Sequence, residues 1–484
     1  MRPTLSGWLL PVLMVLIMGT VSPCLAQDAS SSASSTSSTT RGGAVSTGQA
    51  GGASGDAAFG SAALGGQGIS PVGEYKEGLA LGGWIFSPQI FVGGVYNTNA
   101  DQLATGDDSG ASLRVAPRIT GYYDGGMYKT SVYGVMDGEF FNSNTIAATA
   151  GVTNSYSPQQ DWTLGSFFNY TRETSIFNSA LNFDNNAISP VGAPASGIPL
   201  VLNPFGTTPG VNPIAYNQFT VGGSINKTFN QAFASLGVTG FYILYDEQSD
   251  LIQAPFQTSN NGADIWVQGR LGYHIIPGVY VFAEGDGIFQ RFQNSVFDTN
   301  GYRVIGGFGA DDPKSLFRGE VYGGYQAQQQ LADNNIVGTP SIPLVTPNGI
   351  PTDISSGVFG GRLSYYPTPY WTWIASVDQT LGVTTALQPD VPQGTPSKVT
   401  TALVQTTYSI ARQWSVGVRG GYTQGWFFGF SPSNQGWLAG ASFNYEIWRN
   451  LLLTLDYQYT SEHSDAPSSS FVQNTYTAGL TYRY

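Results

Sequence analysis

Thr475-Tyr476-Thr477-Ala478-Gly479-Leu480-Thr481-Tyr482-Arg483-Tyr484 closes the chain. Extended, it places Tyr476, Ala478, Leu480, Tyr482 and Tyr484 on one side and Thr475, Thr477, Gly479, Thr481 and Arg483 on the other, because successive side chains of a strand point to opposite faces. One face is apolar and the other polar. In water such a strand belongs to a sheet with one wet face. In a membrane its apolar side looks at lipid and its polar side lines a lumen.

The pattern recurs upstream. Leu113, Val115, Ile119 and Tyr123 oppose Arg114, Arg118 and Thr120, and Val279, Val281, Ala283 and Phe289 oppose Glu284, Asp286 and Gln290. Phe317, Val321 and Tyr325 oppose Arg318, Glu320, Gln326 and Gln328, while Leu451, Leu453, Leu455 and Tyr457 oppose Thr454, Asp456 and Gln458. From Leu79 onward no stretch sustains a helical period.

Connections alternate in length. Tight turns are expected near Asp124-Gly125-Gly126, Ser157-Pro158-Gln159-Gln160, Asn230, Pro277, Asp311-Asp312-Pro313, Pro367-Thr368-Pro369, Arg412 and Arg449-Asn450. Longer segments lie between them near 98–110, 174–215, 247–261, 293–299, 330–354, 383–396, 427–433 and 462–469, with a short exception at Asn142–Asn144. Short turns on one side and long loops on the other match periplasmic turns and extracellular loops. Counting from an opening strand at 79–97 predicts an all-β, antiparallel transmembrane β-barrel of about 18 strands, with 16 as the alternative. An even count puts both termini on the periplasmic side. Closure follows independently, because an open sheet leaves unpaired edges in hydrocarbon.

Composition agrees. Charged residues are 10% of the 484, against roughly 25% in soluble proteins. Gly numbers 63, Tyr 27 and Phe 27. Mean hydropathy is −0.07, which excludes a bundle of apolar membrane helices. The net charge of −12 and the lack of any Lys/Arg cluster speak against nucleic acid as a partner.

Residues 1–26 fit a secretory signal peptide, with Arg2 ahead of the apolar stretch Leu9 to Val21 and a cleavage site after Cys24-Leu25-Ala26. Cys24 is the only cysteine, so cleavage there leaves a chain without thiols. Residues 27–78 are mostly Ser, Thr, Ala and Gly and read as a low-complexity periplasmic leader, too short for a globular plug. The barrel is assigned to 79–484. With an export signal at one end, the aromatic Tyr484 at the other resembles the C-terminal signal by which barrel-assembly machinery recognises outer-membrane barrels. That machinery and outer-membrane lipid are the expected partners. Trp162, Trp371, Trp373, Trp414 and Trp448 sit beside the short turns and read as an aromatic girdle.

Catalytic signals are weak. The sequence carries no G-x-S-x-G, Walker loop or H-E-x-x-H. His274 is expected at a short turn and His463 in the outer-loop cluster Glu462-His463-Ser464-Asp465. A solvated loop explains that cluster more simply than a hydrolase site, so no enzyme activity, cofactor or metal is expected. Gly306-Gly307, Gly323-Gly324, Gly360-Gly361 and Gly420-Gly421 lie inside strands, where they allow curvature or make room for inward side chains.

The informative residues are the charges that strand parity turns inward. Positive ones are Arg114, Arg118, Lys129, Arg270, Arg303, Arg318, Arg362, Arg419 and Arg483. Negative ones are Asp137, Glu139, Glu173, Glu284, Asp286, Glu320, Asp378, Glu446 and Asp456. A basic residue facing lipid at mid-bilayer costs about 2–4 kcal/mol, so these groups must face water or each other. A conduit for a polyanion needs an excess of Arg and Lys; this balanced set suits neutral or weakly charged solutes, sugars included. The same charges could instead pair and only brace the wall. The Pro-rich segments 174–215 and 330–354 have the apolar content of loops that fold inward or over the mouth.

Residues 80–142 carry a family likeness. The run Pro88-Gln89-Ile90-Phe91-Val92-Gly93-Gly94-Val95-Tyr96-Asn97-Thr98-Asn99 is followed by Leu113-Arg114-Val115-Ala116-Pro117 and the strand Thr130 to Phe141. This resembles the outer-membrane β-barrel porin family, type two, which is associated with exopolysaccharide gene clusters in Gram-negative bacteria. The resemblance implies an outer-membrane role in passing hydrophilic solute or polysaccharide, with a periplasmic secretion partner on a separate chain. It brings no catalytic residues. A non-conducting barrel serving assembly or adhesion in a secretion complex is the alternative.

Overall fold

The computed structural model describes residues 78–99, 109–141, 145–159, 161–175, 214–245, 261–293, 298–312, 314–331, 353–383, 396–411, 413–428, 433–464 and 470–484, all within the unit Ser46–Tyr484. The export signal, the leader to residue 77 and the greater part of both Pro-rich segments lie outside the described residues, as does the side chain of Glu173.

The first strands are β1 (Leu79–Leu81), β2 (Trp84–Asn97), β3 (Gly110–Asp124), β4 (Tyr128–Phe140), β5 (Thr145–Gln159), β6 (Trp162–Ser175) and β7 (Ile214–Phe229). Next come β8 (Ala232–Tyr245), β9 (Gly262–Ile276), β10 (Val279–Phe292), β11 (Thr299–Ala310), β12 (Phe317–Gln330) and β13 (Asp353–Thr368). The series ends with β14 (Trp371–Val383), β15 (Pro396–Ala411), β16 (Trp414–Phe427), β17 (Ser433–Trp448), β18 (Leu451–Ser464) and β19 (Phe471–Arg483). Each pairs antiparallel with the next, and β19 closes on β2 from Thr475↔Asn97 to Arg483↔Gln89. Strands β2–β19 therefore form a closed wall of eighteen.

The expected opening strand 79–97 is broken in two. Gly82 and Gly83 take φ of 57° and 87°, and β1 folds back to pair Leu79 with Phe86. Both dihedrals lie in the left-handed region that glycine enters without steric cost. Two turns also move. Ser157 and Pro158 continue β5, and Pro367 continues β13, with pairing irregular between Tyr156 and Gln159 and between Tyr365 and Thr368. Proline has no N–H to give a ladder, so the strand passes it at an irregularity rather than stopping. Glu462, His463 and Ser464 are the last residues of β18, with His463 opposite Gln435, not part of a loop. Their polarity suggests a loop, but β17 extends far enough to pair with them.

Asn230 turns the β7–β8 hairpin at φ 53°. Its short polar side chain tolerates that region, where a larger L-residue is strained. Asn230→Val is expected to cost about 1–2 kcal/mol and Asn230→Gly little, read from urea midpoints of the protein in lipid vesicles.

Contacts that skip a neighbouring strand identify the inner face, since only the concave side of a closed sheet allows them. Such contacts join Arg270 of β9 to Glu320 of β12, and Arg419 of β16 to Asp456 of β18. The opposite face is apolar and exposed, including Val92, Ile119, Leu271, Val304, Phe308, Val418 and Leu480. In β19 the division is the expected one: Tyr476, Leu480 and Tyr482 are exposed, and Thr477 and Thr481 are buried. The outward tryptophans mark two levels. Trp162, Trp371, Trp373, Trp414 and Trp448 lie at the short-turn end, and Trp426 and Trp437 lie near the other. Trp414 and Trp426 are twelve residues apart on β16, which at about 3.3 Å per residue and ~40° tilt spans roughly 30 Å, a hydrocarbon thickness.

Candidate functional site: the inner wall

Strand register sorts the inner face of β9–β14 into rows. One runs Gln268–Asp286–Arg303–Gln326 and the next Arg270–Glu284–Ile305–Gly324–Val358. Below them run Gly272–Phe282–Gly307–Tyr322–Gly360–Asp378 and His274–Tyr280–Gly309–Glu320–Arg362. Large and absent side chains alternate along these rows, and the alternation is needed. A Cβ at Gly309 would collide with the Tyr280 ring, and one at Gly360 with the Tyr322 hydroxyl.

Five charges interlock on these rows. Arg270 Nε donates to Glu284 Oε2 at 2.6 Å, and its Nη1 donates to Glu320 Oε2 at 2.9 Å. Arg303 Nε donates to Asp286 Oδ2 at 2.6 Å and Nη2 to Glu284 Oε1 at 3.4 Å. Tyr280 adds a hydroxyl to Glu320 Oε2 at 3.1 Å, and Tyr322 donates to Asp378. All five charged side chains are buried. The Arg270 guanidinium lies 4.0 Å from the Phe282 ring centroid and that of Arg303 5.5 Å from Trp266. Apolar packing flanks the network: Phe282, Ile305, Tyr322 and Val358 in one cluster, Phe241, Trp266 and Ile288 in another. Charges withdrawn from water are tolerated when each has hydrogen-bonded counter-charges, and those bonds strengthen as the local dielectric falls.

The remaining charges are more open. Arg114 pairs with Asp137, and Glu139 accepts from Ser112 Oγ at 3.4 Å. Arg419 holds Asp456 through two bonds of 2.8 Å and reaches Gln458 Oε1 at 3.0 Å. Arg118 and Arg483 share a row, each opposite Gln89 of β2. Lys129 meets Asp124 at 3.4 Å in the exposed β3–β4 turn, and Arg318 lies 4.8 Å from the Tyr366 ring centroid. Arg362 stands opposite Glu320, and Glu446 occupies the short-turn end of β17. The sequence reading did not pick out Tyr280, Tyr322, Phe282 or Trp266 as members of this wall. Their signal was available: each is an aromatic residue on the polar parity of its strand.

His274 also faces inward, with its ring against Phe233 and Tyr280 and Nε2 3.2 Å from Asp311 Oδ2. Among the described residues no group of three or more His, Cys, Asp or Glu is arranged to hold a metal ion.

A closed antiparallel barrel, apolar outside and polar inside, is the setting in which the comparisons fall. The family described as "putative beta-barrel porin 2" matches residues 203–339 and 352–484. The chain belongs to this family. The porin match covers the strands of the ionic network and the closing strand. The exopolysaccharide association stays an implication of the resemblance. No curated protein matches the chain. Among solved structures it is similar to the outer-membrane channel DcaP of Acinetobacter baumannii, at 12% identity and TM-score 0.40, covering 84% of this chain and 99% of that one. It is similar also to the siderophore receptor PirA of Pseudomonas aeruginosa (6%, 0.38, covering 82% and 80%). The FrpB iron transporter of Neisseria meningitidis gives 6%, 0.38, and coverage of 82% and 81%.

Proposed function

We propose that this porin-family barrel sits in the bacterial outer membrane and passively conducts hydrophilic solutes, neutral sugars and polysaccharide among them, catalysing no reaction. One observation supports the reading: several inward charges pair with each other along the wall. Arg114 meets Asp137, Arg419 meets Asp456, and Arg270 and Arg303 are enclosed by Glu284, Asp286 and Glu320. Where arginines are held by carboxylates of the same wall, a passing solute meets hydroxyl, amide and aromatic surface rather than a run of free cations that would select a polyanion. The 27–78 leader is periplasmic in this reading, export uses the 1–26 signal, and insertion uses the strand ending at Tyr484.

Planar-bilayer conductance of the refolded protein tests it. Steady channels on the nanosiemens scale with a reversal potential near zero across a salt gradient are expected, together with block by neutral sugars. A folded barrel that never conducts would replace this reading with a scaffold of a secretion complex.

A further inference from the structure

The wall is not zipped along its whole height. β13 and β14 pair from Thr368↔Trp371 to Gly360↔Asp378 and no further, although β13 begins at Asp353 and β14 runs to Val383. Above that point each keeps its other neighbour, β13 on β12 as far as Gln329↔Asp353 and β14 on β15 as far as Val383↔Pro396. The backbone of Leu381 is met instead by a side chain from two strands away. Gln326 Nε2 donates to Leu381 O at 3.2 Å, and Leu381 N donates to Gln326 Oε1 at 3.4 Å. Gln326 is fully buried.

Burial is displaced at the same place. Alternation puts Gln379 and Leu381 on the outward face with Val377, yet they are only 9% and 4% exposed. On the facing edge of β13 the outward residues are Asp353, Ser355, Gly357 and Phe359, of which only Phe359 is large and apolar. Gly360 is eight residues from Thr368, which at about 3.3 Å per residue and ~40° tilt is roughly 20 Å above the short-turn rim. The two unladdered edges therefore lie at the outer part of the hydrocarbon and at headgroup level. Backbone groups off a ladder persist at such depth only beside protein, water or another polar group.

We propose that the upper half of the β13–β14 seam is a side opening of the wall for amphiphiles. The polar head sits between the strand edges, the tail stays in the outer leaflet, and Gln326 is the latch. Strand edges whose backbone groups are off their ladder, with the barrel interior on one side and lipid on the other, suit a molecule that is half polar and half apolar. This route is lateral and independent of axial conduction.

Cysteine pairs in the full chain test it, after Cys24→Ser removes the only native thiol. Val358→Cys with Thr380→Cys would be direct partners if the ladder ran on in register, and Ser364→Cys with Ile374→Cys are partners on the same inward face in the paired part. In isolated outer membranes the lower pair should oxidise at least about tenfold faster, since opposed strand positions suit disulfide geometry. Equal rates would mean a closed wall and end the proposal. A twelve-carbon alkyl glucoside with a photoreactive diazirine beside the sugar supplies the ligand probe. Its adducts should concentrate several-fold on 353–359 and 379–383 and rise further in Gln326→Ala. Adducts spread evenly around the barrel, or indifferent to Gln326→Ala, would overturn it. Labelling at the seam in a barrel that fails to conduct would count against the channel reading and support this one.

Discussion

Arg303→Ala is expected to destabilise the folded barrel by about 3–5 kcal/mol, the usual cost of removing one partner from a buried ion pair. Arg303 is 1% exposed and serves two carboxylates, Asp286 at 2.6 Å and Glu284 at 3.4 Å. Glu284 keeps Arg270, but Asp286 loses the only cation bonded to it among the described residues. Urea unfolding from lipid vesicles, followed by tryptophan fluorescence, reads the change. Arg419→Ala is the comparison, because its side chain is 16% exposed and Asp456 lies nearer water; it should cost clearly less. A triple exchange of Arg303→Met, Glu284→Gln and Asp286→Asn should recover much of the loss, since neutral groups carry no penalty for missing counter-charge. A loss below about 1 kcal/mol for Arg303→Ala would show that water reaches these carboxylates.

One residue further on, the opposite change is expected to be nearly as harmful. Val304 sits mid-strand in β11 on the outward face, 56% exposed, between the inward Arg303 and Ile305. Val304→Arg places a guanidinium against hydrocarbon and should cost about 2–4 kcal/mol, measured in the same vesicles. Leu81→Arg, in the exposed β1 hairpin at the short-turn rim, should fall near 0–1 kcal/mol, because the penalty depends on depth. If both exchanges were equally mild, the outward face would not be lipid-covered at mid-strand. Arginine is thus expected to stabilise at 303 and to destabilise at 304, a reversal caused by the two-residue period of a strand.

That period explains how much was legible beforehand. Alternation and turn residues are local, so the sheet class, its closure and the strand count could be read from neighbours in the chain. Local reading failed where a local signal had two meanings. Pro158 and Pro367 resembled turns but lie within strands at irregular pairs, and Glu462-His463-Ser464 resembled a loop but ends β18. Gly82-Gly83 sits inside a strand-like run yet makes a turn.

Sequence alone determined that Arg270, Glu284, Arg303 and Glu320 share a face, because parity within each strand suffices for that. Only the tertiary structure decided that Arg270 bonds Glu320 three strands away, that Tyr322 reaches Asp378 across β13, and that Gln326 holds Leu381 where the β13–β14 ladder ends. Those contacts cross the concave face, and their existence depends on how sharply the closed wall curves and where two strands part. Curvature is a property of all eighteen strands together, and no window of the chain contains it.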